Sequence, residues 1–223
     1  TGLSAGQVEL ELKKHPGVSA VFITTPLYHG AMSSVAEIAE VVHSMGCLLI
    51  VDEAHGAHLP FLDGYEGAVR AGADIAVCSY HKTLPALGQA AVLTACSRFE
   101  PSRLRHIASL YGTASPSYPI LLSIELARAY MQDAGRKSAA FCAEFARSVK
   151  ADINRRGVFR AFGDDPLRLC VITAAGGLSG TAAAAQLEDT GIVCEMSDSR
   201  CVVFILSPAD TEWDLGKLSS ALS

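Results

Sequence analysis

Two short, uninterrupted apolar runs constrain this chain more than any other feature: Cys47-Leu48-Leu49-Ile50-Val51-Asp52-Glu53 and Ile75-Ala76-Val77-Cys78-Ser79-Tyr80. Both are rich in β-branched residues and are bounded by Gly46, Gly56, Gly64 and Gly72, the pattern of strands buried on both faces. The stretch 65–71 between them has room for about two helical turns, so the expectation is a strand–helix–strand unit. Such a unit makes its strands parallel and brings their carboxyl ends to one edge of the sheet. Asp52 closes the first run there, and Ser79-Tyr80-His81-Lys82 closes the second. Neighbouring strands lie about 5 Å apart, close enough for one heteroaromatic ring to bridge a carboxylate and an amine.

The same reading extends along the chain. Strands are expected at 21–25, 48–53, 75–80 and 91–95, with helices at 34–45, 101–111 and 118–134. Residues 1–134 therefore read as the end of a mainly parallel α/β layer. An amphipathic helix over 136–156 carries Phe141, Phe145, Val149 and Ile153 at fourfold spacing, and residues 135–157 read as a link. Residues 158–223 read as a smaller α+β domain, with strands at 158–162, 167–173, 193–196 and 201–206 and helices at 181–190 and 212–222.

The carboxylate and the amine suit pyridoxal phosphate for separate reasons. An ionised Asp52 beside the ring nitrogen keeps that nitrogen protonated, so the ring can accept an electron pair from a substrate α-carbon. Lys82 can form the resting Schiff base and later move a proton at that carbon. If the strand continues past Ser79, then Ser79 and His81 share a face that suits a phosphate or a carboxylate, and Tyr80 points the other way.

Four segments carry a resemblance. Pro26-Leu27-Tyr28, Val51-Asp52-Glu53-Ala54-His55-Gly56-Ala57-His58, Ser79-Tyr80-His81-Lys82-Thr83-Leu84-Pro85-Ala86-Leu87-Gly88-Gln89 and Ser115-Pro116-Ser117-Tyr118 stand in this order. Together they resemble, in order and spacing, the major domain of the bacterial ornithine/lysine/arginine decarboxylases, which are fold-type I pyridoxal phosphate enzymes. The likeness is strong over 21–131 and fainter beyond, where Gly191-Ile192-Val193-Cys194-Glu195 is similar to the family's small domain. It implies Lys82 as the Schiff-base lysine, Asp52 as the partner of the ring nitrogen, and Ala54 and His55 as neighbours of the ring. It places Ser79 and His81 near the phosphate and imine, with Lys82 or His81 returning a proton to the α-carbon. Thr113 or Ser115 would reach the site of a partner subunit in a homodimer or higher homo-oligomer.

The implied activity is decarboxylation of arginine, lysine or ornithine to a polyamine-type amine and carbon dioxide. Tyr28 at a strand mouth is a candidate for the substrate pocket, and Glu195 or Asp198 for holding a cationic substrate terminus. Tyr80 and Gly88 depart from the family pattern, which has small hydroxyl residues there. The family's phosphate-gripping and ring-stacking segment precedes the equivalent of Thr1, so the chain is expected to be a fragment with little activity alone. An aminotransferase or aldolase-like relative would use the same Asp and Lys. A cofactor-free oligomerisation or regulatory module is a further alternative.

Composition narrows the rest. The 223 residues are 50% hydrophobic and 18% charged, with a net charge of -5 that disfavours nucleic acid as a partner. No apolar stretch approaches the roughly 20 residues of a membrane helix, and no signal-peptide pattern opens the chain, so a cytoplasmic location is expected. The seven cysteines form no Cys-x-x-Cys pair and sit mostly in apolar runs, as buried reduced thiols do. His55-x-x-His58 with Asp52, or His29 with His81, lacks a third ligand at recognisable spacing, so no metal is expected. Val51-Asp52-Glu53-Ala54-His55 also matches the acidic strand of a DEAH-box helicase. That reading requires a phosphate-cradling Gly-x-x-x-x-Gly-Lys-Ser/Thr loop, which these residues do not contain, and it leaves Lys82 unexplained.

Overall fold

A computed structural model describes residues 2–113 and 115–222. They form two compact units: Gly2–Pro26 with Ser33–Met131, and Leu27–Met32 with Gln132–Ser223.

The first unit begins with α1 (Ala5–Lys14), whose capping box pairs Ser4 and Gln7. The sequence reading made no assignment there. β1 (Ala20–Thr24), α2 (Val35–Ser44, capped by Ser34) and β2 (Leu48–Asp52) follow. Next come β3 (Ile75–Ser79), α3 (Tyr80–Thr83), β4 (Ala91–Ala95), α4 (Pro101–Tyr111) and α5 (Tyr118–Gln132). The strand order is β1-β2-β3-β4, with the first three parallel and β4 antiparallel to β3.

One face of this sheet is built as expected. Ile23, Leu49, Val51 and Ala76 pack against Val8 and Leu12 of α1 and Ile38 and Val42 of α2. Each fully buried side chain of this kind stabilises by about 1.5–3 kcal/mol. The other face departs from the expectation of strands buried on both sides: Phe22, Val77 and Leu93 are 66%, 37% and 55% exposed. The reason is that α1 and α2 both pack on the Leu49/Val51 side.

Between β2 and β3 the chain forms a 3-10 turn at Leu59–Phe61 and then successive turns, not the helix expected over 65–71. Gly64 and Gly72 take φ of 85° and 114°, outside the helical region. The Ala68 N–H is drawn to the Glu53 Oε1, at 3.1 Å, instead of to a helical carbonyl. Buried Asp74, just before β3, accepts from the Leu49 N–H at 2.7 Å, lies 3.0 Å from His43 Nε2 and pairs with Arg98. This one carboxylate ties β2, α2 and the segment after β4 together.

The second unit contains α6 (Ala134–Arg156), β5 (Arg160–Phe162), β6 (Arg168–Ile172), α7 (Gly180–Asp189), β7 (Met196–Ser197), β8 (Cys201–Ile205) and α8 (Glu212–Ala221). Its sheet is wholly antiparallel, in the order β5-β6-β8-β7. The expected strand at 193–196 shrinks to β7 because residues 191–192 still close α7. Gly191 has φ 76°, and the Gly191 and Ile192 N–H groups bond back to Glu188 and Leu187 carbonyls.

The loop Leu27–Met32 is built against this second sheet. The Gly30 carbonyl accepts from the Asp164 and Asp165 N–H groups at 2.7 and 2.9 Å. A Cβ at Gly30 would meet the Arg168 side chain at 2.8 Å, so only glycine fits. All seven cysteines are free thiols and five of them are buried. No helix among the described residues is long and apolar enough to cross a membrane.

Candidate active site

Asp52 is the last residue of β2, and its Cα partners are Thr24 on β1 and Val77 on β3. It is half-buried, and its Oδ1 accepts the Ala54 N–H at 3.0 Å. That leaves Oδ2 without a hydrogen bond among the described residues. β2 and β3 are hydrogen-bonded parallel neighbours, so Asp52 and the segment after Ser79 emerge at the same sheet edge.

β3 ends at Ser79, and the chain turns at once into the single-turn helix α3, which carries His81 and Lys82. This corrects the expectation of a strand through Tyr80, and with it the alternation that put Ser79 and His81 on one face. The cause is the return of the chain into β4: the His81 and Leu84 N–H groups bond to Ala90 and Tyr80 carbonyls, closing the turn. Lys82 is exposed. The His81 Nδ1 lies 3.0 Å from the Ala90 carbonyl oxygen. A carbonyl only accepts, so Nδ1 carries the hydrogen and Nε2 faces outward. Next to Lys82, the Thr83 Oγ1 is buried and has no hydrogen-bond partner.

Ala54 and His55 stand half-buried in the turn after β2, and that turn is moulded on Glu53. Glu53 is 4% exposed; its Oε1 accepts the Ala68 N–H and its Oε2 the Cys78 thiol at 3.2 Å. Burial pushes its carboxyl pKa up, opposed by the Cys78 and Ala68 hydrogen bonds. A Cβ on Gly56 would lie 2.5 Å from Glu53 Cγ and 3.0 Å from Pro26 Cδ, so the turn sits as close to Glu53 as a backbone can. Sequence reasoning passed over Glu53. The available signal was an acid at the end of an apolar run, flanked by glycines that let a loop close on it.

The remaining candidates fall elsewhere. Thr113 and Ser115 are exposed beyond α4, where the Ser115 N–H donates to the Thr113 hydroxyl at 3.1 Å. Tyr28 and Glu195 lie in the second unit and meet directly: the Tyr28 hydroxyl donates to Glu195 Oε1 at 2.6 Å. That hydrogen bond raises the Tyr28 pKa. The Arg168 guanidinium lies 5.6 Å from the Tyr28 ring centroid, a cation–π contact from a side chain only 1% exposed. The Asp198 Oδ1 accepts from the Arg200 and Cys201 N–H groups at 2.7 and 2.8 Å, so it is engaged within its own turn.

An acid and an amine at the shared end of parallel strands, followed by a long helix and a small antiparallel α+β unit, define the fold of the fold-type I enzymes. The lysine decarboxylase of Francisella novicida superposes with a TM-score of 0.78 at 18% identity, over 97% of this chain and 38% of that one. The Sphingomonas wittichii serine palmitoyltransferase does so with a TM-score of 0.76 at 15% identity, over 98% and 57%.

Family follows from sequence. Residues 3–173 match the Orn/Lys/Arg decarboxylase major domain, and the chain belongs to that family. It is 29% identical to an arginine decarboxylase of Bacillus subtilis over 236 aligned residues, covering 100% of this chain and 48% of that protein. An arginine decarboxylase of Halalkalibacterium halodurans is 30% identical, with the same coverage of 100% and 48%. The chain spans about half the length of these curated relatives.

Proposed function

We propose that this chain carries the lysine-bearing part of a pyridoxal phosphate site in a decarboxylase of a basic amino acid: arginine, lysine or ornithine. The observation that carries the reading is the placement of Asp52 and Lys82 at the same ends of two hydrogen-bonded parallel strands. The donor set fits the cofactor. Asp52 has an oxygen to spare for a protonated ring nitrogen, Lys82 offers an exposed amine for covalent attachment, and the orphaned Thr83 hydroxyl can turn to an anion.

When bound, pyridoxal phosphate supplies the electron sink that takes up the pair freed as the α-carboxylate leaves as carbon dioxide. The chain's own groups do the remainder. Asp52 holds a proton at the ring nitrogen by keeping a fixed negative charge beside it. Ala54 and His55 border the ring, held in place through the Glu53-bound turn. Ser79 and His81 border the phosphate end, and the outward His81 Nε2 or the Lys82 amine returns a proton to the substrate α-carbon. Tyr28 fixes Glu195, and that carboxylate meets the cationic substrate terminus. Thr113 and Ser115, exposed beyond α4, contribute to the site of a second copy in a homo-oligomer. The domain division that goes with this reading is 1–134, 135–157 and 158–223, in a cytoplasmic protein.

The test uses the protein as its host expresses it, supplied with arginine, lysine and ornithine in turn. The reading expects carbon dioxide and the matching amine from one or more of them. Keto-acid formation without gas release would contradict it in favour of an aminotransferase. Asp52→Asn should leave the cofactor bound and slow turnover on the order of a hundredfold.

A further inference from the structure

His29 is not used by the chemistry proposed above. An imidazole nitrogen of His29, a carboxylate oxygen of Asp198 and the Cys201 sulfur all lie within 4.8 Å of one another. We propose that these three side chains form a binding site for one thiophilic divalent transition-metal ion, of the Zn2+ class. It uses none of the residues assigned above to the cofactor.

The donors select the class of ion. Imidazole and thiolate suit Zn2+ and Co2+, whereas Mg2+ and Ca2+ require shells of oxygen. Metal–donor bonds of about 2.0–2.3 Å place tetrahedral donors roughly 3.5 Å apart, so the three atoms need to draw in by about 1 Å, within reach of small side-chain rotations. A neutral imidazole, a carboxylate and a thiolate together carry two negative charges, which matches a dication. On binding, the Cys201 thiol gives up its proton to solvent as the sulfur–metal bond forms. The fourth position is left for water or an exogenous ligand.

The framework is held before any ion arrives. Asp198 and Cys201 flank the two-residue turn between β7 and β8, where the Asp198 N–H donates to the Cys201 carbonyl at 3.1 Å. The Arg200 and Cys201 N–H groups fix Asp198 Oδ1, and the same carboxylate faces the Cys201 thiol. α7 begins on this turn: the Thr181 N–H bonds to the Asp198 carbonyl at 3.0 Å, and a side chain at Gly180 would strike the Asp198 and Cys201 carbonyl oxygens. Burial and the nearby Asp198 carboxylate push the Cys201 thiol pKa up, and Cys170 on the neighbouring strand opposes that rise. His29 is carried on the Leu27–Met32 loop, in which the Gly30 N–H bonds to Leu27 and the Leu27 N–H to Ala31. An ion here would tie that loop to the β7–β8 turn.

The experiment is a titration of the metal-free full chain with Co2+, without pyridoxal phosphate, followed by absorption spectroscopy and then by competition with Zn2+. Expected are saturation at one equivalent, a thiolate-to-cobalt charge-transfer band, and displacement by Zn2+ with an affinity of about micromolar or tighter. Cys201→Ser should abolish the charge-transfer band, Cys170→Ser should weaken binding about tenfold, and Cys96→Ser should change neither. His29→Gln sits in a loop and is the safeguard should Cys201→Ser fail to fold; it should weaken binding at least about tenfold with circular dichroism unchanged. No saturable spectrum in the parent chain, or the same band and affinity in the folded Cys201→Ser or His29→Gln variant, would overturn the site.

Discussion

At the scale of single residues, the acid that shapes the site is Glu53 more than its neighbour Asp52. The position of Asp52 at the end of β2 was legible from the sequence because it closes an apolar run. Glu53 was not, because its role depends on partners distant in sequence, Ala68 and Cys78. Burial raises the Glu53 pKa, so its protonated form is favoured in the folded chain. This group therefore adds stability below its ordinary value of 4.5, and the contribution is lost as pH rises through the folded value. Glu53→Gln removes the titration, so melting curves should show the variant gaining on the parent as pH rises above the ordinary carboxyl value of 4.5. A difference independent of pH would mean that the carboxyl does not titrate as described. Gly56→Ala should push the turn off Glu53 and carry Ala54 and His55 with it. Equilibrium dialysis with pyridoxal phosphate should then show affinity down by about tenfold or more, since a displacement on the order of 1 Å suffices for such losses.

At the scale of elements, what the sequence revealed and what it hid divide along local and non-local physics. β4 at Ala91–Ala95 and α4 at Pro101–Tyr111 lie where periodicity, Pro101 and Gly112 put them. The stretch 65–71 does not form the expected helix because Glu53, the residue after β2, claims one of its N–H groups, an interaction that no short window of sequence contains. His81 was misaimed for a similar reason, since Ala90 closes the turn that ends β3. Tyr28 and Glu195 were singled out separately, and the hydrogen bond between them spans 167 residues, beyond the reach of any local pattern. Gly180 tests the packing of α7 on the β7–β8 turn. Gly180→Ala places a methyl against two carbonyl oxygens and should destabilise by about 1–3 kcal/mol or more in urea unfolding. A variant as stable as the parent would show that α7 can shift away at no cost.

At the scale of the whole molecule, the sheet of the first unit is covered on one face and open on the other. Phe22 on β1, Val77 on β3 and Leu93 on β4 stand exposed on that open face. Exposed apolar surface of this kind binds hydrophobic dyes. The 223-residue chain on its own should enhance 8-anilinonaphthalene-1-sulfonate fluorescence, and Phe22→Ser with Leu93→Ser should lower that signal while shifting stability by no more than about 0.5 kcal/mol each. Fluorescence unchanged by the pair would place the apolar surface elsewhere.

The family and the order of strands rest on patterns spread over most of the chain. The reading of the site rests on far fewer atoms, and above all on the amine of Lys82. The most direct test is borohydride reduction of the host-expressed protein in the presence of pyridoxal phosphate, followed by peptide mass spectrometry. A pyridoxyl adduct on Lys82, lost in Lys82→Ala together with the absorbance of the bound cofactor, is the expected result. An adduct confined to another lysine, or none on a protein that still releases carbon dioxide from its amino acid, would contradict it.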